Sequence, residues 1–153
     1  MPIHVVPASL SRSGTSSSPA IKVRGFAGFD DAAALRAALE SVDLVVHLAA
    51  RVHVMREDEA DPLAAFRQVN VEGTRAVYAA AREAGVRRVV YLSSVKAMGE
   101  GGPKPYRESD APRPIDPYGI SKLEAEQFLA EGRALGGPEY VVLRPPLVYG
   151  PGV

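Results

Sequence analysis

Tyr118 and Lys122 stand four positions apart in PIDPYGISK (114–122), directly behind an Asp-Pro pair, and two serines, Ser93 and Ser94, close the apolar run VVYLSS (89–94). On a helix that spacing places a phenol and an ammonium on one face, about one 5.4 Å turn apart. A phenol with a pKa of about 10 is a poor base at neutral pH, and a neighbouring ammonium favours the phenolate and draws that pKa down. Such a pair could take the proton of an alcohol while a serine hydroxyl holds the same oxygen. Oxidising the alcohol also releases a hydride, which no side chain accepts, so the chemistry requires a nicotinamide cofactor. Tyr and Lys at this spacing also arise by chance on solvated helix faces, so the elements around them decide the reading.

Those elements alternate. AIKVRGF (20–26) is a β-branched run, DDAAALRAALES (30–41) a helix with Asp at its start, and VDLVVHLAA (42–50) a near-continuous apolar strand of the kind buried on both faces of a parallel sheet. A charged loop leads to a long helix within 62–84, with Pro62 near its start and Gly85 as its stop. VRRVVYLSS (86–94) is a strand, 99–115 a Gly/Pro-rich loop, and Asp116 an N-cap with Pro117 at the first helical position. That helix runs to about Leu135, Gly136-Gly137 ends it, and EYVVLR (139–144) is the last strand. The order predicts an α/β fold, an incomplete Rossmann-like, doubly wound parallel sheet over 20–153, preceded by a flexible segment 1–19 with a possible short strand at MPIHVV. Ligands of open parallel sheets bind at the carboxyl ends of the strands. Ala49-Ala50, Ser93-Ser94 and Arg144-Pro145 all fall there, and Tyr118 and Lys122 open the helix that returns from the same edge.

Composition narrows the partners. Eighteen basic and eighteen acidic residues give a formal net charge of zero with no basic stripe, which argues against nucleic acid and anionic membrane. The 153 residues contain no cysteine, so disulfides and thiolate metal sites are excluded. No apolar run nears the roughly 20 residues of a spanning helix, and no signal peptide opens the chain, so the expectation is a cytoplasmic protein.

The ordered set VVHLAA, VNVEGT, VYLSS, PYGISK and VVLRPPLVYGPG resembles the extended short-chain dehydrogenase/reductases, the NAD-dependent epimerase/dehydratase family, from about Ile21 onward. It looks most like the nucleotide-sugar 4-epimerases and reductases. The resemblance implies Tyr118 as general acid/base, Lys122 on the nicotinamide ribose and lowering the tyrosine pKa, and Ser94 on the sugar hydroxyl that becomes a ketone. It implies Leu48, Ala49, Ala50 and Arg51 lining the cofactor, Asn70 beneath the site, and Pro145 and Pro146 near the nicotinamide carboxamide. NAD is the implied cofactor, with NADP also open, and a nucleotide sugar the implied substrate. Family members often pair through helices corresponding to 62–84 and 117–135, which implies a homodimer.

The family's phosphate-binding turn, G-x-x-G-x-x-G between strand and helix, has no match. GFAGFDD (25–31) is nearest, but it lacks the third glycine and would turn two acids toward a pyrophosphate. The chain is therefore expected to begin near the family's second strand and end just after its sixth. That would leave VDLVVHLA with an unpaired apolar edge, filled by the N-terminal segment or left as a liability. The second expectation is a Rossmann-like remnant that binds without catalysing. His47, His53 and the acids Glu57, Asp58, Glu59 and Asp61 are read as a packed strand-end histidine and a solvated loop, and Ser93 as structural.

Overall fold

The computed structural model describes residues 28–52 and 60–150. The proposed strand at 20–26, the segment 1–19 and the cluster from His53 to Glu59 lie outside those residues. The described chain runs α1 (Ala32–Ala38), β1 (Leu44–His47), α2 (Pro62–Arg67), α3 (Gly73–Glu83), β2 (Arg88–Leu92), α4 (Pro117–Ala134) and β3 (Glu139–Leu143). The strands form one parallel sheet in the order β1-β2-β3, with Val45 opposite Val89 and Val89 opposite Tyr140. This is the parallel α/β architecture that the alternation of apolar runs and helical segments implied.

The starts of α2 and α4 follow from their sequence. Asp61 and Asp116 each cap the helix, accepting from Ala64 N at 3.0 Å and Gly119 N at 2.6 Å, and a proline at the first helical position has no N–H to leave unpaired. Gly85 ends α3 and Gly136 ends α4 with φ of 73° and 81°, a region that a side chain disfavours. The long helix expected over 62–84 is instead interrupted: Gln68–Glu72 is a single π-helical turn between α2 and α3. Such turns insert one residue into the helical ladder and re-aim the side chains on it. Here they aim Asn70 inward.

Val45, Val89 and Tyr91 pack with Leu35 of α1 and its C-cap Leu39, Val77 and Ala81 of α3, and Ala125 and Leu129 of α4 in one core. All three helices therefore cover the same face of the sheet. The alternate residues Val46, Val141 and Leu143 stay exposed. This corrects the expectation of a β1 buried on both faces: among the described residues only one helical layer is present, so the strand alternates as a one-sided strand does. β1 has β2 as its sole strand neighbour among the described residues.

α4 lies so close to α3 that glycine is needed between them. A Cβ on Gly132 would stand 2.5 Å from Tyr78 Cε1, and the Tyr78 hydroxyl is pinned to the Pro138 carbonyl at 2.7 Å, so the ring cannot swing away. Alanine in a helix is favoured over glycine by about 1 kcal/mol, whereas overpacking costs about 1–3 kcal/mol. Because the 2.5 Å approach to a pinned ring puts overpacking at the upper end of that range, Gly132→Ala is expected to lower the unfolding free energy in urea by about 1–2 kcal/mol. An unchanged or raised value would show that the α3–α4 contact is looser than described.

Candidate active site

β2 ends at Leu92, and Ser93 and Ser94 turn the chain into one 3-10 turn, Val95–Ala97. Ser94 caps that turn, accepting from Lys96 N at 3.2 Å. The first turn of α4 lies directly against it. A Cβ on Gly119 would stand 3.0 Å from the Lys96 carbonyl carbon and 3.2 Å from Pro114 Cβ, so the residue after Tyr118 must be small for helix and turn to meet. This approach brings Ser94 and Tyr118 together. The half-buried Tyr118 ring packs on Phe66 of α2 at 6.0 Å between centroids.

The charge pattern departs from the simple expectation for a Tyr-Lys pair. Burial, the largest influence, lifts the Tyr118 phenol above its ordinary pKa, the neighbouring Ser94 hydroxyl pulls it down, and the Asp116 carboxylate pushes it up. The depression expected from Lys122 is not realised in this arrangement. Lys122 is instead 1% exposed, donates Nζ–H to the Leu92 carbonyl at 2.6 Å and lies 4.1 Å from the centre of the Tyr91 ring. Burial lowers its pKa to about 8 and the Glu126 carboxylate raises it, so the amine is still an ammonium at neutral pH.

Glu126 is one helical turn beyond Lys122 and only 6% exposed. It accepts the Ser93 hydroxyl and a two-toothed grip from Arg144, whose Nε reaches Oε1 at 3.0 Å. Ser93 is thus structural, as expected, and it joins β2 to α4 and the end of β3. Glu126 and Arg144 were not singled out as a pair in the sequence, although an acid four residues after the lysine on the same helix face was a usable signal.

Asn70, carried inward by the π-helical turn, shapes the segment after β1. Its Oδ1 accepts from Arg51 N at 2.7 Å, and its Nδ2 donates to the Arg51 carbonyl at 3.1 Å and to Ser121 Oγ at 2.9 Å. Ser121 in turn donates to the Tyr118 carbonyl at 2.8 Å. One amide therefore links the carboxyl end of β1 to the helix that bears Tyr118. Ala49, Ala50 and Arg51 are half-buried there, Leu48 is exposed, and the Arg51 guanidinium lies 5.5 Å over the Phe66 ring. Pro145 and Pro146 follow β3 on the same edge, and the Pro145 carbonyl accepts from Val95 N at 3.0 Å. The predicted cofactor and catalytic residues thus lie at the carboxyl end of the sheet, and Asn70 is joined through Ser121 to the Tyr118 carbonyl. A large open cleft lies to one side, between the 101–108 loop and β3, but neither Ser94 nor Tyr118 lines it.

The family comparison agrees with this geometry. Residues 5–153 match the NAD dependent epimerase/dehydratase family. The chain is 44% identical over 117 residues to the UDP-glucose 4-epimerase of Vibrio cholerae, a match covering 75% of this chain and 36% of that protein. The UDP-glucose 4-epimerase from Brucella ovis in complex with NAD superposes with a TM-score of 0.70 at 35% identity, over 77% of this chain and 36% of that one. RMD from Pseudomonas aeruginosa complexed with NADPH gives 0.73 at 30% identity, over 83% and 44%. A parallel α/β unit with serine and tyrosine facing each other at its carboxyl edge is the class so defined. The chain belongs to the NAD dependent epimerase/dehydratase family, and it spans about a third of the length of the curated relatives it matches. No helix among the described residues is long and apolar enough to cross a membrane.

His47 packs at the end of β1, as expected. Thr74 Oγ1 gives its proton to the Asn70 carbonyl at 2.7 Å, so it accepts from His47 Nε2–H at 3.1 Å. Burial first, then the Lys122 charge, lower the His47 pKa to about 4. An unfolded chain with a histidine near 6.5 takes up its proton first, so acid favours unfolding. Stability from this group is complete above about pH 6.5 and lost as pH falls toward 4, in total roughly 3 kcal/mol. Unfolding free energy measured between pH 4.5 and 6 is expected to rise more steeply in the parent than in His47→Leu, by up to about 1.4 kcal/mol per pH unit. Parallel pH dependences would show that His47 is not buried neutral.

Proposed function

We propose that this chain carries the chemical half of an NAD(P)-dependent nucleotide-sugar epimerase or reductase, with Tyr118 as the proton-transferring group. The observation that carries the reading is the half-buried phenol set beside Ser94, with the buried ammonium of Lys122 one helical turn behind. A bound nicotinamide dinucleotide would supply the hydride acceptor that side chains lack. The residues suit such a group: an exposed apolar edge at Leu48, a backbone at Ala49, Ala50 and Arg51 fixed by Asn70, and the rigid Pro145-Pro146 pair opposite.

In the oxidising direction Tyr118, as phenolate, takes the proton of the sugar hydroxyl as the carbon gives up hydride, and the alcohol becomes a ketone. Ser94 holds that oxygen throughout. In the return direction Tyr118 gives the proton back to the ketone oxygen, and the carbon would regain hydride on its original face for a simple reversal or on the other face of a turned keto-sugar for epimerisation. Burial raises the phenol pKa and Lys122 does not offset it in this arrangement, so Lys122 is assigned to the cofactor ribose rather than to the phenol. Asn70 and Ser121 hold the helix start in register with the β1 edge.

The sugar is drawn from the relatives' substrates, and UDP-glucose is the first to test. A cytoplasmic homodimer through α2–α3 and α4 belongs to the same reading. The raised Tyr118 pKa favours a second reading, a module that binds cofactor without turnover.

One experiment separates the two. Conversion of UDP-glucose to its 4-epimer or keto form is followed with NAD present, alongside NAD affinity by fluorescence titration. Turnover that falls about 10²–10⁴-fold in Tyr118→Phe, with affinity unchanged, supports the enzyme. Binding without turnover in the parent chain supports the module, and turnover surviving the substitution removes Tyr118 from its role.

A further inference from the structure

Lys96 meets Ser94 on one side and, on the other, Asp116 and Gly119, which flank Tyr118 in α4. Its backbone N–H donates to Ser94 Oγ at 3.2 Å. Its carbonyl is the surface against which the missing Cβ of Gly119 lets α4 close. Its ammonium bonds Glu100 and lies 3.3 Å from Asp116 Oδ2, while Oδ1 of the same carboxylate caps α4 through Gly119 N. Asp116 is two residues before Tyr118, and it is the one charged group that acts on the phenol. Although burial works against it, the Gly119 N–H and the Lys96 ammonium hold the Asp116 carboxyl below its usual range, so it is an anion at neutral pH.

We propose that Lys96 is a positioning residue of this site: it clamps the turn bearing Ser94 to the first turn of α4 and neutralises the Asp116 charge beside Tyr118. The inference rests on the reading of Tyr118 as the acting phenol.

The groups around that phenol leave few other candidates. α2 presents the apolar Phe66, with the Arg51 guanidinium over that ring. The strand-end turn presents the uncharged Ser94, and α4 itself presents Asp116 and, buried one turn on, Lys122. Lys96 thus offsets the Asp116 carboxylate from outside the site. Its side chain is 42% exposed, and exposed ion pairs add little to global stability. Its removal should therefore leave the fold in place and change the phenol.

The ionisation of Tyr118 is read directly by NMR of the whole chain with tyrosine labelled at Cζ, the resonance being assigned by its loss in Tyr118→Phe. Lys96→Gln is expected to raise the Tyr118 titration midpoint by roughly half a pH unit, and Lys96→Arg to restore it. Asp116→Asn keeps a good N-cap; it is expected to lower the midpoint and to abolish the effect of Lys96→Gln in the double variant. An unmoved or lowered midpoint in Lys96→Gln, an equal shift in Lys96→Arg, or a shift that persists in the Asp116→Asn background overturns the proposal. Should Lys96→Gln fold poorly, the midpoints of Lys96→Arg and Asp116→Asn still decide it: a shifted arginine variant or an unshifted asparagine variant counts against it. Because no turnover is measured, these outcomes are independent of the result with Tyr118→Phe.

Discussion

A protonated amine inside a protein is costly to keep, and Lys122 is kept there by three neighbours at once. The Leu92 carbonyl, left over where β2 stops, accepts its proton at 2.6 Å; the face of Tyr91 lies 4.1 Å beneath it; and Glu126 supplies opposite charge one turn away. Without them the penalty for burying an ammonium is several kcal/mol. With them the pKa settles near 8 and the charge survives at neutral pH. Glu126 is in turn shared by Ser93 and Arg144, so the ends of β2 and β3 and the middle of α4 are joined through one carboxylate. The site's geometry depends on this knot because Ser94 adjoins Ser93 and Tyr118 lies on the same helix as Lys122.

The rest of the architecture serves to bring α4 close. Glycines at 119 and 132 remove the side chains that would hold it off the strand-end turn and off Tyr78. The π-helical turn between α2 and α3 delivers Asn70 to both the β1 edge and Ser121. The consequence is a phenol confined between Phe66 and Ser94, with its proton affinity set by opposing local influences rather than by one cation. In such a site small displacements of charge have a direct chemical effect, which is why the exposed Lys96 matters more to Tyr118 than to the stability of the fold.

Much of this was legible in the chain. Asp61-Pro62 and Asp116-Pro117 marked two helix starts correctly, the apolar runs marked three strands, and Gly85 and Gly136 marked two helix ends. Ser94, Tyr118, Lys122 and Asn70 were picked out because their types and order are recognisable together. What escaped the sequence was long-range. The bare sheet face at Val46, Val141 and Leu143 depends on which layers pack, not on the strand's composition. The π-helical turn has no local signature in QVNVE. The direction of the Tyr118 pKa is set by burial and by Asp116, and spacing on a helix reports neither. Ser93, Glu126 and Arg144 are separated by 33 and 18 residues and meet only in the folded chain.

The central claim is that Lys122 is a buried ammonium tied to the end of β2. Its proton affinity can be read residue by residue, by NMR of the lysine side chains with the Lys122 signal assigned through Lys122→Met. The account predicts one lysine titrating near pH 8, well below the ordinary value of about 10.4. A Lys122 midpoint at the ordinary value would mean that the amine is in water, that the knot at Leu92, Tyr91 and Glu126 is not formed, and that the site is not held as described.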